Sequence, residues 1–182
     1  MREDWDHIGE QLLVIRSQSG DPTAFAELVD RFGPRLRYFL GKLLGEPDRV
    51  DDALQEVWLD VFQGLPRLAA PKAFRAWLFR IAHDRACRIL RKRHPDIPLP
   101  DESLLAGCPE EPKFYPDEAV LVHAALDRLT PEHREVLVLR FLEDMSYEEI
   151  AGVVGCPLGT VRSRLHHARK TLRTLLDEET HS

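Results

Sequence analysis

The sequence predicts an all-α protein of two small helical domains joined by a proline-rich linker, and three observations carry that prediction. Apolar residues recur at helical spacing in both halves of the chain, with no strand-type alternation of convincing length and no internal repeat. Six of the 13 prolines (Pro95, Pro98, Pro100, Pro109, Pro112 and Pro116) fall between His94 and Pro116, an acidic stretch that cannot be a continuous helix. Charge is segregated: Pro71 to Arg93 holds Lys72, Arg75, Arg80, Arg85, Arg88, Arg91, Lys92 and Arg93 against the single acid Asp84, and Pro157 to Arg173 holds Arg162, Arg164, Arg169, Lys170 and Arg173 with no acid. A length of 182 residues suits two modest cores.

Taken in order, residues 1–20 form an N-terminal extension and lead-in helix. Asp21 as N-cap and Pro22 at the first helical position start a helix through Ala24, Phe25, Leu28, Val29 and Phe32. A second apolar helix is expected over Arg35 to Leu44, ending at Gly45 and Pro47. Asp48 then caps a longer helix whose apolar positions are Val50, Ala53, Leu54, Val57, Trp58, Val61, Phe62 and Leu65. Gly64, Pro66 and Pro71 bracket a short loop before a basic helix from about Lys72 to Arg93. After the linker, 94–118, helical periodicity returns with Ala119, Val120, Val122, Leu126 and Leu129. It breaks at Thr130 and Pro131, then resumes through Val136, Leu137 and Phe141. A short tail, 177–182, closes the chain.

Composition excludes several classes. The 43% hydrophobic and 31% charged residues, with no apolar run near the ~20 that a membrane span needs, point to a cytoplasmic protein without membrane insertion. Cys87, Cys108 and Cys156 are scattered and odd in number, which reads as buried thiols rather than a disulfide framework. His83 and Cys87 lie one helical turn apart, but no further ligand pair follows, so neither a metal nor any other cofactor is expected. The net charge of -6 is compatible with nucleic-acid binding because the two basic segments are local.

The sharpest motif is SYEEIAGVVGCPLGTVRSRLHHARKTL, Ser146 to Leu172. Ser146 and Glu149 make a capping box, and Ile150, Ala151 and Val154 supply a buried face. Gly155 ends the first helix, and Cys156 to Gly159 turn into a second that packs through Val161, Leu165, Ala168 and Leu172. This is a helix-turn-helix pattern, whose second helix enters the major groove. Thr160, Arg162, Ser163, His166 and His167 are the candidates for base edges, while Arg164, Arg169 and Lys170 are the candidates for phosphates. A solvated basic face on a packing helix is the plainer alternative.

Together with DRVDDALQEVWLDVF (Asp48 to Phe62), AFRAWLFRIAHDRACRILRKR (Ala73 to Arg93) and LTPEHREVLVLRF, the motif resembles a sigma-70-type RNA polymerase sigma factor of the extracytoplasmic-function group. The resemblance covers about residues 20–93 and 119–176. It implies a sigma-two-like helical bundle over 21–93, which binds core RNA polymerase and opens the minus-10 element. It further implies a sigma-four-like helix-turn-helix domain over 119–176, which reads the minus-35 element of promoter DNA. An anti-sigma factor is a further partner implied by resemblance alone.

Carried over by resemblance, Asp52, Gln55 and Glu56 match the acidic helix that docks on the polymerase clamp, with Asp51, Trp58 and Asp60 close by. The plainer role for Asp51 and Asp52 is to complement the helix dipole, an effect that has faded by Glu56 and Asp60. The loop Leu68, Ala69, Ala70, Pro71, Lys72, Ala73, Phe74 matches the segment that captures a flipped minus-10 base. Lys72 and Arg75 would hold phosphates there, and Arg80, His83, Arg88, Arg91 and Lys92 would continue the basic surface. Trp77 and Phe79 suit stacking on bases, although aromatics in such a run are more often core. Many family members carry Asn and, four positions later, Asp where this chain has Asp84 and Arg88, so no minus-10 preference carries over.

Two rival functions are open at this point. A conventional helix-turn-helix regulator with an N-terminal sensor would have no need of the basic helix from Lys72 to Arg93. An enzyme would need a phosphate-cradling glycine loop or a nucleophile–base pair, and the spacing supports neither.

Overall fold

The computed structural model describes residues 2–93 and 119–180, which fall into two compact units, one within Met1–Ile97 and one within Pro98–Ser182. All regular structure among the described residues is helical. The linker expected over 94–118, with Cys108, lies outside the described residues.

The N-terminal unit contains α1 (Arg2–Gln18), α2 (Pro22–Leu44), α3 (Pro47–Gly64) and α4 (Phe74–Arg93), with 3-10 turns at Leu65–Arg67 and Pro71–Ala73 between the last two. The two helices expected between Asp21 and Leu44 are one. Ala24, Leu28, Phe32, Leu36, Phe39, Leu40 and Leu44 form a single buried seam that passes straight through Pro34. Pro34 removes one backbone donor but sits on the exposed side, so the burial gained on both flanks outweighs the local loss. Across this seam Phe32 meets Phe74 edge-on at 5.4 Å, and Phe39 meets Phe79 at 5.3 Å. Each buried ring contributes about 1.5–3 kcal/mol from area alone.

Asp21 caps α2 as the sequence predicts, accepting from the amides of Thr23 and Ala24, and Gly45 closes the helix in the left-handed region at φ 72°. The cap of α3 differs from expectation. Pro47 occupies its first turn and Glu46 its N-cap, so Asp48 lies inside the first turn, where its charge meets the helix dipole instead of capping. Val50, Ala53, Val57 and Val61 are the inner face of α3. Phe62, expected among them, is 64% exposed, because Val61 and Leu65 already complete the inner row and Phe62 falls beside it.

The C-terminal unit contains α5 (Ala119–Asp127), α6 (Pro131–Phe141), α7 (Tyr147–Val154) and α8 (Leu158–Thr180). Arg134 ends α5 by donating to the carbonyls of Leu126, Asp127 and Leu129, each at 2.8 Å. The capping box forms, with the Ser146 hydroxyl accepting from the Glu149 amide and the Glu149 carboxylate from the Ser146 amide. Gly155 terminates α7 at φ 69°. The inner residues of α7 are Ile150 and Val153; Ala151 and Val154, expected there, are half-buried because one turn of a short helix presents only an i, i+3 pair inward. α8 continues through the start of the tail expected from 177. Cys87 and Cys156 are half-exposed thiols, not the buried ones expected.

Two outcomes follow for stability. Phe39→Ala should destabilise the chain by about 3–5 kcal/mol in chemical denaturation, whereas Pro34→Ala should leave α2 intact and stabilise it by up to about 3 kcal/mol. The hydrogen bonds from Arg16 and from the capped amides hold the Asp21 carboxyl below its ordinary value. Folding therefore favours its charged form; that contribution is complete at neutral pH and is lost as the pH falls through the depressed folded value. Asp21→Asn should lower the melting temperature at neutral pH, and the deficit should close in acid.

Candidate polymerase and nucleic-acid interfaces

Opposite the inner face of α3, the spacing of Asp52, Gln55, Glu56, Leu59 and Phe62 lines them along one outer stripe. Leu59 is 60% exposed and Phe62 64%. Sequence periodicity missed Leu59 and misassigned Phe62, although their spacing from Asp52 and Gln55 is itself helical. The other expected docking residues have partners within the unit. Asp51 is ion-paired with Arg37 of α2. Trp58 packs edge-on against Phe25 at 6.0 Å, and Phe62, at the end of the stripe, touches the same ring edge-on at 5.3 Å. Arg85 of α4 forks onto two carboxylates, with one nitrogen 2.7 Å from Glu56 and the other 2.5 Å from Asp60. The acidic helix and the basic helix are thus stitched together at their shared edge.

In the loop after α3, Ala69, Lys72 and Ala73 are exposed, and Leu68, Ala70 and Pro71 are half-buried. Of the residues expected on this surface, two are buried instead and a third, Arg75, is half-buried. Phe74 is a core ring packed on Phe32. Arg75 donates to Glu10 at 2.7 Å, and that glutamate is only 7% exposed. His83 is buried, with a ring nitrogen 3.5 Å from the Cys87 sulfur. Positions 75 and 83 fall on the inward side of α4, where basic character alone gives no sign of direction. Arg80, Arg88, Arg91 and Lys92 are exposed, with Asp84 exposed among them. Phe79 is buried against Phe39, as aromatics in such a run usually are, and Trp77 lies half-buried over Gly64 beside Phe74.

On α8, Arg162 and Lys170 are exposed, and Thr160, His166 and His167 are half-buried. Ser163, Arg164 and Arg169, expected outward, are buried. Arg164 reaches Glu135 of α6 at 3.4 Å. Arg169 donates to the Tyr147 hydroxyl at 3.2 Å and lies 5.3 Å from the centre of the Phe141 ring. The cause is that α8 packs on α5, α6 and α7 at once, so its inner face is wider than one apolar row and takes in the flanking arginine stems. His167 stacks on His133 of α6 at 6.4 Å and meets His166 edge-on at 5.3 Å, a cluster that sequence spacing did not reveal. Among the described residues no group of three His, Cys, Asp or Glu side chains is placed to hold a metal ion, and no helix is long and apolar enough to cross a membrane.

Comparison with known proteins agrees with the all-helical fold. The family model for Sigma-70 region 2 matches residues 28–95, and that for Sigma-70, region 4 matches residues 119–172. The chain is 32% identical over 186 residues to the RNA polymerase sigma-H factor of Pseudomonas aeruginosa, covering 93% of this chain and 96% of that one. It is 31% identical over 180 residues to the ECF RNA polymerase sigma-E factor of Escherichia coli, covering 92% and 94%. Among solved structures it is similar to CnrH in complex with the cytosolic domain of CnrY, with a TM-score of 0.67, 28% identity and coverage of 93% of this chain and 98% of that one. It is also similar to the sigma factor RpoE in complex with the anti-sigma factor NepR from Bartonella quintana, with a TM-score of 0.63, 25% identity and coverage of 84% and 96%. The rival regulator with an N-terminal sensor is not favoured, since the segment that a sensor would occupy matches region 2. Matched in both regions, and by full-length relatives over nearly its whole length, the chain belongs to the sigma-70 family as an alternative sigma factor of the extracytoplasmic-function group, directing transcription initiation.

Proposed function

We propose that this sigma factor divides its work among three surfaces: the outer stripe of α3 docks on core RNA polymerase, the 68–73 loop with the outer face of α4 takes the opened minus-10 strand, and α8 reads the minus-35 duplex. In this reading residues 21–93 act as the sigma-two domain and 119–176 as the sigma-four domain. The observation that carries it is the opposition of exposed chemistry on consecutive helices, acidic and apolar on α3 and basic on α4.

Leu59 and Phe62 supply the kind of desolvated centre that protein interfaces need, and Asp52 and Gln55 a polar rim. Glu56 and Asp60, already paired with Arg85, contribute less charge to a partner than their number suggests. Capture of an unstacked base costs a few kcal/mol, which phosphate contacts by Lys72, Arg80, Arg88, Arg91 and Lys92 offset. Asp84 lies within that basic face, so the preferred minus-10 sequence is this chain's own. On α8, Arg162 is the strongest base reader, with Thr160, His166 and His167 beside it and Lys170 on a phosphate. Arg164 and Arg169 tie α8 to α6 and α7 instead, and Ser163 is buried.

The chain acts by binding alone, in the cytoplasm, and catalyses no reaction. The complexes of CnrH and of RpoE with their binding partners support an anti-sigma protein as a further partner.

Two experiments test the assignment. Leu59→Ala combined with Phe62→Ala should weaken binding of the folded chain to core polymerase by about 2–4 kcal/mol, read by equilibrium titration, and unchanged affinity would remove α3 from the interface. In holoenzyme binding to a minus-35 library at two salt concentrations, Arg162→Ala should cost about 1–3 kcal/mol and relax preference at one base position. Lys170→Ala should weaken all sequences alike and reduce the salt slope by about one.

A further inference from the structure

The backbone between Leu65 and Phe74 has no apolar anchor of its own, since both ends are buried but no residue from Pro66 to Ala73 is. Its shape is held from outside, by α1. The Gln18 side-chain amide donates both its hydrogens to this segment, to the carbonyl of Leu65 at 3.0 Å and of Leu68 at 2.8 Å, and so spans the first 3-10 turn. At the far end, Arg75 in the first turn of α4 donates to the buried carboxylate of Glu10 at 2.7 Å. Arg31 of α2 approaches the same carboxylate oxygen at 3.4 Å. Gln18 and Glu10 are eight residues apart, about 12 Å along the helix. One rigid rod therefore grips the loop at its entry and just past its exit. α1 lies wholly outside the segment that matches region 2, which begins at residue 28.

We infer that α1 is a positioning element for strand opening, and that Gln18 and Glu10 are positioning residues that fix the 68–73 loop in the shape that receives the unstacked strand. The inference rests on the reading of that loop as the minus-10 strand contact. A loop fixed before DNA arrives loses no conformational freedom on capture, so more of its contact energy goes into holding the strand open. Glu10 is the buried end of the clamp and its removal leaves two guanidinium groups without their shared carboxylate, a change that alters folding as well. Gln18 is the cleaner probe. Gln18→Glu keeps shape and length but removes the donor and sets a carboxylate against two carbonyl oxygens.

The test compares the full-length wild type, Gln18→Glu and Lys72→Ala as holoenzymes, on a duplex promoter and on the same promoter with a pre-melted bubble. Hydrogen exchange of the Leu68 and Ala73 amides is followed in the free chains. Gln18→Glu should speed that exchange, slow open-complex formation on the duplex by about tenfold, a loss on the scale of a buried hydrogen bond, and change the bubble template by less than about twofold. Lys72→Ala should lose more on the duplex than on the bubble and leave exchange alone. If Lys72→Ala shows this split while Gln18→Glu initiates like wild type, the positioning role of α1 is overturned and the loop reading stands. Lys72→Ala behaving like wild type on both templates would overturn the loop reading, and the inference with it. Equal losses for Gln18→Glu on both templates would mark it as a general stability defect and overturn the inference. Should Gln18→Glu not fold, Gln18→Met removes the donor without adding charge and carries the same comparison.

Discussion

The uninterrupted apolar seam of α2 is the constraint on which the N-terminal unit depends. Because Phe32 and Phe39 lie on the same row of one helix, the rings they meet, Phe74 and Phe79, share a common frame that sets the rotation and register of α4. α3 packs on α2 and on α4, so its inner face of small and β-branched residues is fixed by the same seam. Which side chains of α3 and α4 reach solvent then follows. Divided at Pro34, α2 would be two short helices, each burying too little to hold α3 and α4 in register.

On that frame charge is managed locally. The chain carries a net -6, yet the basic face of α4 and the acidic stripe of α3 lie on two helices packed together, and Arg85 stands at their boundary with a carboxylate on each arm. The fork removes the charges that would otherwise let the two faces attract the wrong partners, leaving acid and apolar surface on one side and basic surface on the other. In the C-terminal unit the same economy of placement turns Arg164 and Arg169 inward, where they tie α8 to α6 and α7, while Arg162 and Lys170 remain exposed.

The N-cap at Asp21, the capping box at Ser146 and the glycine stop at Gly155 were legible in the sequence because each depends on residues within one turn of one another, whereas the continuity of α2 through Pro34 was not, since it depends on packing against α3 and α4. Family membership was legible as well, since it rests on motifs spread over both halves. Direction was not. Ser163, Arg164 and Arg169 read as a basic helix face, and only the presence of three neighbouring helices shows that they point inward. Arg75 and His83 fail in the same way on α4, and the partner of Arg75 is 65 residues away on α1, beyond any local pattern. Phe62 is the converse case: periodicity placed it inside, and the completed inner row of α3 leaves it out.

The proposed division of surfaces puts polymerase docking and strand capture on consecutive helices of one small unit, α3 and α4, in a sigma factor that directs transcription initiation. Run-off transcription with core polymerase across a genomic promoter library tests this most directly. Transcripts that require the chain, and that begin at a fixed distance downstream of paired minus-35 and minus-10 elements, are the result predicted. Sequence-specific binding of the chain alone to duplex sites, with no chain-dependent transcript from core polymerase, would contradict it.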